Sequence, residues 1–353
     1  MNEAKLLIDT GRQLTRHGEP VLFREGLYQV SENCYGWMVP NGSWGETNIG
    51  LIDCGGKSVL VDTCWDLHFT REMLQGMQPV IERSPIDTVI NTHSDGDHCW
   101  GNQLFSNKNI IATQACIDQM HHMNPRSLSA LKLGCKAMKH IPFASVDCFS
   151  QYMADMLAPY EFGGVHITDP TMAFQHEHTL CINGKDIVLY EVGPGHTNGD
   201  AIVYVPDESV AYAGDIAFIG STPVMWSGPV ENLVAALERL LALNASIMVP
   251  GHGPLASRRD IQHIIDYWHF VHEKIHALYQ QDRLPHDAAN LVLSSREFLE
   301  SPYCKWSCAE RLVTNAYALY RQWGAKLATL PDPLGTLDIL RKQAVVAQST
   351  LGW

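Results

Sequence analysis

The chain has 353 residues, 46% hydrophobic and 18% charged, the make-up of a folded globular protein of one large or two modest domains. Its formal net charge of −13 argues against a general nucleic-acid partner, which needs a basic face to displace phosphate counterions. No stretch approaches the ~20 apolar residues of a membrane span. Residues 1–20 surround the short run Leu6-Leu7-Ile8 with charged and polar residues, so they do not read as a signal peptide. Ten cysteines are scattered without a Cys-x-x-Cys pair, and the expectation is reduced thiols in a cytoplasmic protein.

Apolar runs bounded by turn residues predict strands over 21–23, 27–30, 47–53 and 58–62, with Gly55-Gly56 turning between the last two. A helix is expected over 68–78, a strand over 87–91, a helical stretch over 100–105, a strand over 109–112 and a helix over 113–122. The strand at 87–91 runs into Asn91-Thr92-His93-Ser94-Asp95-Gly96-Asp97-His98, where four potential metal ligands fall within six residues. A strand ending in a tight loop can aim imidazoles and carboxylates at one point, as a divalent ion requires.

Between His98 and His196 lie 97 residues, with a surplus at about 125–161. There Leu128, Leu131, Cys135 and Met138 share one helical face, and Lys132, Lys136 and Lys139 occupy another. This segment reads either as a lid whose lysines meet an anionic substrate or as an ordinary amphipathic helix with a solvated basic face. After a strand at 179–182, Asn183-Gly184 predicts a two-residue hairpin turn returning through 187–192 to Gly195-His196-Thr197-Asn198-Gly199-Asp200. A second hairpin, 201–205 with 209–213, leads to Gly214-Asp215. A helix over 231–243 and a strand over 247–249 precede Pro250-Gly251-His252-Gly253.

Beyond residue 256 the pattern turns helical. Ser257 is a candidate N-cap, and Ile261, Ile264, Trp268, Val271, Ile275 and Leu278 trace an apolar stripe. Leu312, Ala316, Leu319 and Trp323 trace another, and Pro285, Pro302, Pro331 and Pro333 punctuate the remainder. Residues 257–353 are expected to form a helical extension packed on a 1–256 domain, shaping the substrate mouth or building a homodimer face.

Four strand-end loops carrying His or Asp imply a sheet edge that holds a metal cluster. At this point the chain resembles the metallo-β-lactamase superfamily over roughly residues 20 to 256, through His-x-Asp-x-Asp-His, Gly-His, Gly-Asp and Gly-His in that order. Asp62 matches the family's earlier structural aspartate, and residues 48–53 look like its opening strand. The resemblance implies an α/β fold, an αββα sandwich of two mixed sheets flanked by helices, with a helical insertion and a C-terminal helical extension. It also implies that one metal takes His93, Asp95 and His196, that a second takes Asp97, His98 and His252, and that Asp215 bridges them with a water or hydroxide.

Asp95 departs from the family pattern, which usually has His there. Three carboxylates against two dications leave a formal +1, a poorer Lewis acid and a better host for iron or manganese than an imidazole-rich pocket. The flavodiiron proteins, a redox branch, carry Glu at that place. The alternative leaves Asp95 outside the ligand sphere. The expected activity is metal-dependent hydrolysis with two divalent ions, zinc first. A bridging hydroxide would attack the carbonyl of a small ester, thioester, lactone or amide, with Asp97 and Asp215 as the catalytic carboxylates. No Gly-x-Ser-x-Gly elbow is present to supply a protein nucleophile. The competing expectation is a diiron oxygen-activating or oxygen-reducing enzyme, although the 97 residues after Ala256 are too few and too helical for a flavin domain.

Overall fold

Successive strand side chains point to opposite faces, and here both faces of the central strands are apolar, so each sheet must be covered twice. The computed structural model describes residues 4–138, 144–327 and 332–351. A first sheet holds β1 (Lys5–Asp9), β2 (Gly26–Gln29), β3 (Cys34–Met38), β4 (Ile49–Asp53), β5 (Ser58–Val61), β6 (Ile86–Ile90), β7 (Asn109–Thr113) and β8 (Met172–Phe174), in that spatial order. It is antiparallel from β1 to β5 and parallel from β5 to β8. A second sheet has the order β13 (Ile247–His252), β12 (Val210–Phe218), β11 (Ala201–Val205), β10 (Lys185–Glu191), β9 (Glu177–Ile182), antiparallel except for the parallel β12–β13 pair.

The period of two sorts neighbours into different cores. Cys34, Met38, Ile52, Val59 and Val61 face the second sheet and pack with Ile187, Leu189, Val203, Tyr212 and Val249. Tyr35, Trp37, Leu51 and Leu60 face outward into a core of helical residues. The outer face of the second sheet is covered by the helices Val230–Ala242, Arg258–Tyr279, Pro285–Leu293 and Leu312–Gln322. The result is helices, sheet, sheet, helices, the expected αββα sandwich.

Local signals explain most elements. Asn183 (φ 51) and Gly184 (φ 83) both take left-handed conformations, as a hairpin turn with the strand twist demands. Ser257 caps the helix Arg258–Tyr279 through a reciprocal capping box with Asp260. Ile261, Ile264, Trp268, Val271 and Ile275 are buried along one stripe of that helix. In Leu312–Gln322 every residue from Leu312 to Tyr320 is buried, so this helix is enclosed on all sides.

Three expectations are corrected. Residues 21–23 form no strand; Leu22 is exposed and its N–H is held by Asn41 Oδ1. The edge position belongs instead to β1, whose Leu6 pairs with Tyr28. The helix expected over 113–122 is shorter, Gln114–Gln119, because Thr113 serves as its N-cap by accepting from the Cys116 N–H. In the insertion, the helices Pro125–Met138 and Ala144–Leu157 pack together, but Lys132 turns back to its own chain. Its Nζ donates to Ala158 O at 3.0 Å and Tyr160 O at 2.6 Å, while Lys136 is exposed. Lys139 and Pro331 lie outside the described residues. A final helix, Pro333–Leu351, packs on Ala144–Leu157, so the insertion and the C-terminal part buttress each other. No described helix is long and apolar enough to cross a membrane.

The two sheets are also tied at their edge by Glu208, after β11, which accepts from Asn33 N (3.3 Å) and Nδ2 (2.8 Å) after β2 and forms an ion pair with Lys185. Burial alone would raise the Glu208 pKa, but the Lys185 and Asn33 donors outweigh it and lower the value to about 2. A depressed native pKa contributes stability above the unfolded value of about 4.3 that is lost as pH falls through the native one. Glu208→Gln should therefore cost about 1–2 kcal/mol at neutral pH, with the gap to wild type closing between about pH 4 and pH 2 in urea titrations. A gap independent of pH would show that the carboxylate charge is not its source.

Candidate metal centre

Parallel neighbours bring their C-terminal ends to one edge of a sheet. β5 and β6 therefore deliver Asp62 and the loop containing His93, Asp95, Asp97 and His98 to the same place. In the facing sheet the parallel pair β12–β13 delivers Asp215 and His252, and the β10–β11 loop supplies His196. Close passage is needed there. A Cβ on Gly251 would lie 2.0 Å from Asp215 Oδ1, so only glycine lets β13 run beside that carboxylate.

The seven side chains singled out in the sequence converge. One group is His93, His196 and Asp215; another is Asp97, His98 and His252; in each, the ligand atoms lie within 4.8 Å of one another. Asp215 touches both. Its Oδ2 is 3.3 Å from His196 Nε2 and 3.4 Å from His252 Nε2, and its Oδ1 is 3.2 Å from His98 Nε2. Asp97 Oδ2 lies 3.5 Å from His252 Nε2. Asp95 stands beside the first group, not within it: its Oδ2 is 3.2 Å from His196 Nε2, and its side chain is 26% exposed.

These residues fit a pair of cations on three independent counts. Ligands of a tetrahedral ion with bonds of ~2.0–2.1 Å sit about 3.3 Å apart, close to the separations just given. Each of the four imidazoles has its Nδ1 engaged away from the cluster: His93 by Thr92 Oγ1, His98 by Asp62 Oδ2, His196 by Val224 O and His252 by Glu46 O. That leaves every Nε2 facing inward, the arrangement that orients ligating histidines. Finally, His93 Nε2, His98 Nε2 and Asp215 Oδ1 are buried without a hydrogen-bond partner, and polar atoms are costly to leave so.

Electrostatics agree. Burial drives His93 well below its ordinary pKa, helped by the neighbouring His98. Burial also opposes charge on His98 and His196, yet Asp215, Asp62 and Asp97 hold His98 well above the usual value, and Asp95 with Asp215 lifts His196 to about 9. Burial would raise Asp215, but His252, His98 and His93 keep it well below the carboxylate range.

Supporting groups fix the ligands. Asp62 Oδ1 accepts from Thr92 N at 2.7 Å, and its Oδ2 contacts Thr92 Oγ1 at 2.7 Å and His98 Nδ1 at 2.9 Å. Thr47 Oγ1 donates to Asp97 Oδ2 at 2.8 Å. Buried Asp200, its pKa raised by burial to about 6, accepts from Thr197 N and Oγ1 and so pins the loop carrying His196. Cys99 is buried, with its Sγ donating to Ser94 O at 3.4 Å.

The cluster opens on a cavity of about 590 Å³, part of it open to solvent. Trp44, Trp65, Met123, Phe218, Val224 and Trp226 give it apolar walls, and Arg311, Thr314 and Gln343 add polar ones. Nothing local in the sequence marks the tryptophans, Phe218, Val224, Arg311, Thr314 or Gln343 as lining a common cavity. Among the described residues none of 125–161 lines the cavity; Tyr160 and Tyr152 instead brace Trp44 from behind, the first by donating to its carbonyl at 2.6 Å.

A sandwich of two mixed sheets with a histidine–aspartate cluster at one edge defines a class of metal-binding protein. The family model for the metallo-beta-lactamase superfamily matches residues 42–252, and the chain belongs to that superfamily, whose members are mostly metal-dependent hydrolases. The chain is 23% identical over 215 residues to the 2,4-dinitroanisole O-demethylase subunit alpha of Nocardioides sp. (strain JS1661), covering 60% of this chain and 53% of that protein. It is 23% identical over 239 residues to the linear primary-alkylsulfatase of Pseudomonas sp. (strain ATCC 19151), covering 61% and 43%. The chain thus spans about half the length of these two relatives. In structure it is similar to the inverting sec-alkylsulfatase Pisa1 from Pseudomonas sp., with a TM-score of 0.67, 14% identity and coverage of 94% of this chain and 60% of that one.

Asp62→Ala should weaken metal binding by about 10- to 100-fold while leaving the fold in place, because the His98 ring loses its orienting carboxylate. Competition with a chromogenic chelator measures this; wild-type affinity in the variant would show that the aspartate has no orienting role.

Proposed function

We propose that the protein is a hydrolase of small molecules that works with two divalent ions, zinc first. His93 and His196, with Asp95 beside them, would hold one ion, and Asp97, His98 and His252 would hold the other, with Asp215 placed to serve both. The observation that carries this reading is the convergence of buried, unpartnered ligand atoms of His93, His98 and Asp215 at the floor of an aromatic-walled cavity. Such ions supply a water acidified to about neutral pH and a Lewis acid for the bond to be cleaved.

The chain's own residues do the rest. Thr47 holds Asp97 Oδ2, which sets the carboxylate plane and leaves Oδ1 able to accept a hydrogen bond from the attacking water. Trp44, Trp65 and Trp226 exclude bulk solvent and hold the apolar body of the substrate. Among the described residues no serine or cysteine lines the cavity, which supports attack by water without a covalent acyl-enzyme. The substrate class is a small ester, thioester, lactone or amide, and the alkylsulfatase relatives add sulfate esters to the panel worth assaying.

Purified protein should contain two zinc ions per chain, show no visible absorption band and hydrolyse members of a p-nitrophenyl ester and sulfate panel. Two irons with a charge-transfer band and oxygen consumption would sink this in favour of diiron redox chemistry. Asp215→Ala should lose metal and turnover together; full activity would exclude the shared-ligand role. Asp95→His should retain two ions but shift competitive loading away from manganese and iron toward zinc. An unchanged preference would place Asp95 outside the ligand sphere.

A further inference from the structure

Among the described residues that line the cavity, one lysine or arginine side chain is left unused by the hydrolytic chemistry. Arg311 lies in the turn Ala309–Arg311 leading into Leu312–Gln322, and it lines the same cavity as Asp95, Asp215 and His252. It is 4% exposed. Its Nη1 donates to Ser221 Oγ at 2.9 Å and Thr222 O at 3.2 Å, and Ser221 in turn donates to Gly42 O at 3.2 Å. The guanidinium sits 5.6 Å from the Phe218 ring centroid, and Phe218 is stacked at 4.9 Å on His252. One nitrogen is therefore tied to the frame and the plane of the group is set, while Nε and Nη2 donate to no described residue.

No ion pair among the described residues includes Arg311. Its neighbour Glu310 does not serve: that carboxyl accepts from the Tyr152 hydroxyl at 3.0 Å, and burial pushes its pKa up. Removing a guanidinium from water without a carboxylate opposite it is unfavourable. A fork of two free N–H groups on a fixed plane matches the two oxygens of a carboxylate or sulfate. Lys132 of the insertion does not compete for the role, since it is committed to Ala158 and Tyr160.

We propose that Arg311 is a specificity-determining residue that binds an oxyanion group of the substrate, so that the protein acts on small molecules with an apolar or aromatic body and a terminal carboxylate or sulfate. For the bond that is cleaved this rests on the hydrolytic function; for the anion it does not. Three carboxylates and two dications leave a formal +1 beside the cation of Arg311. The loaded cavity is thus positive within a chain of net charge −13, and the preference for anions is local.

The test is binding, read by quenching of the cavity tryptophans in the full, zinc-loaded chain, with zinc content checked for every variant. The probes are 4-nitrobenzoate, 4-nitrophenyl sulfate and the neutral isostere 4-nitrobenzamide. Wild type should bind at least one of the anions about 10-fold or more tightly than the amide, and which one identifies the oxyanion. Arg311→Gln should abolish that preference with amide binding unchanged. Equal binding of anion and amide by wild type, or a preference that survives Arg311→Gln, overturns the proposal by leaving the ions as the anion's holder. Should Arg311→Gln fail to fold, Arg311→Lys decides: the fork predicts an anion affinity about 5-fold or more weaker, and an unchanged affinity overturns it. Absence of ester turnover alongside Arg311-dependent anion binding would sink the hydrolytic function and leave this inference standing.

Discussion

Inward-facing nitrogens and oxygens with nothing to bond are the constraint around which this molecule is arranged. His93, His98 and Asp215 are each buried with a ligand atom unsatisfied, in a protein where most buried polar atoms have partners. The supporting shell of Asp62, Thr92, Thr47 and Asp200 holds the loops and rings of the cluster in these positions.

Such crowding is available only where strands end together. In the first sheet the change from antiparallel to parallel pairing at β5 turns consecutive strand ends toward one edge, and the parallel β12–β13 pair does the same in the second sheet. Sheet-on-sheet packing then brings the two edges face to face. Tyr212 and Gly50 show how closely the sheets meet, since a Cβ on Gly50 would fall 2.5 Å from the Tyr212 ring.

The C-terminal helices complete the cavity as well as covering the second sheet. Arg311 and Thr314 come from the turn and enclosed helix at 309–322, and Gln343 from the last helix. Thr314 donates to Gln343 Oε1 at 2.7 Å and Gln343 to the Tyr152 hydroxyl at 2.8 Å, so the insertion, the enclosed helix and the final helix are joined by one polar chain. The cavity's apolar walls thus come from the same part of the sequence as the histidine–aspartate loops, and its Arg311, Thr314 and Gln343 wall from the C-terminal helices.

Period-two runs, the Asn183-Gly184 turn, the Ser257 cap and the helical stripe from Ile261 to Ile275 were all legible, because each is enforced by neighbours a few residues away. The candidate ligand segments were legible for the same reason: His93, Asp95, Asp97 and His98 sit on one turn, and His196, Asp215 and His252 each come after a short apolar run. Residues 21–23 misled because an apolar triplet without a pairing partner carries no register, and β1 won the sheet edge. For Lys132 the sequence left two readings open, because its partners, the carbonyls of Ala158 and Tyr160, lie across a chain reversal. The sequence alone determined which side chains are candidates to hold cations. Which side chains look onto them, Arg311 and the tryptophans above all, was decided only by tertiary packing, because those residues come from separate elements and no local spacing encodes their meeting.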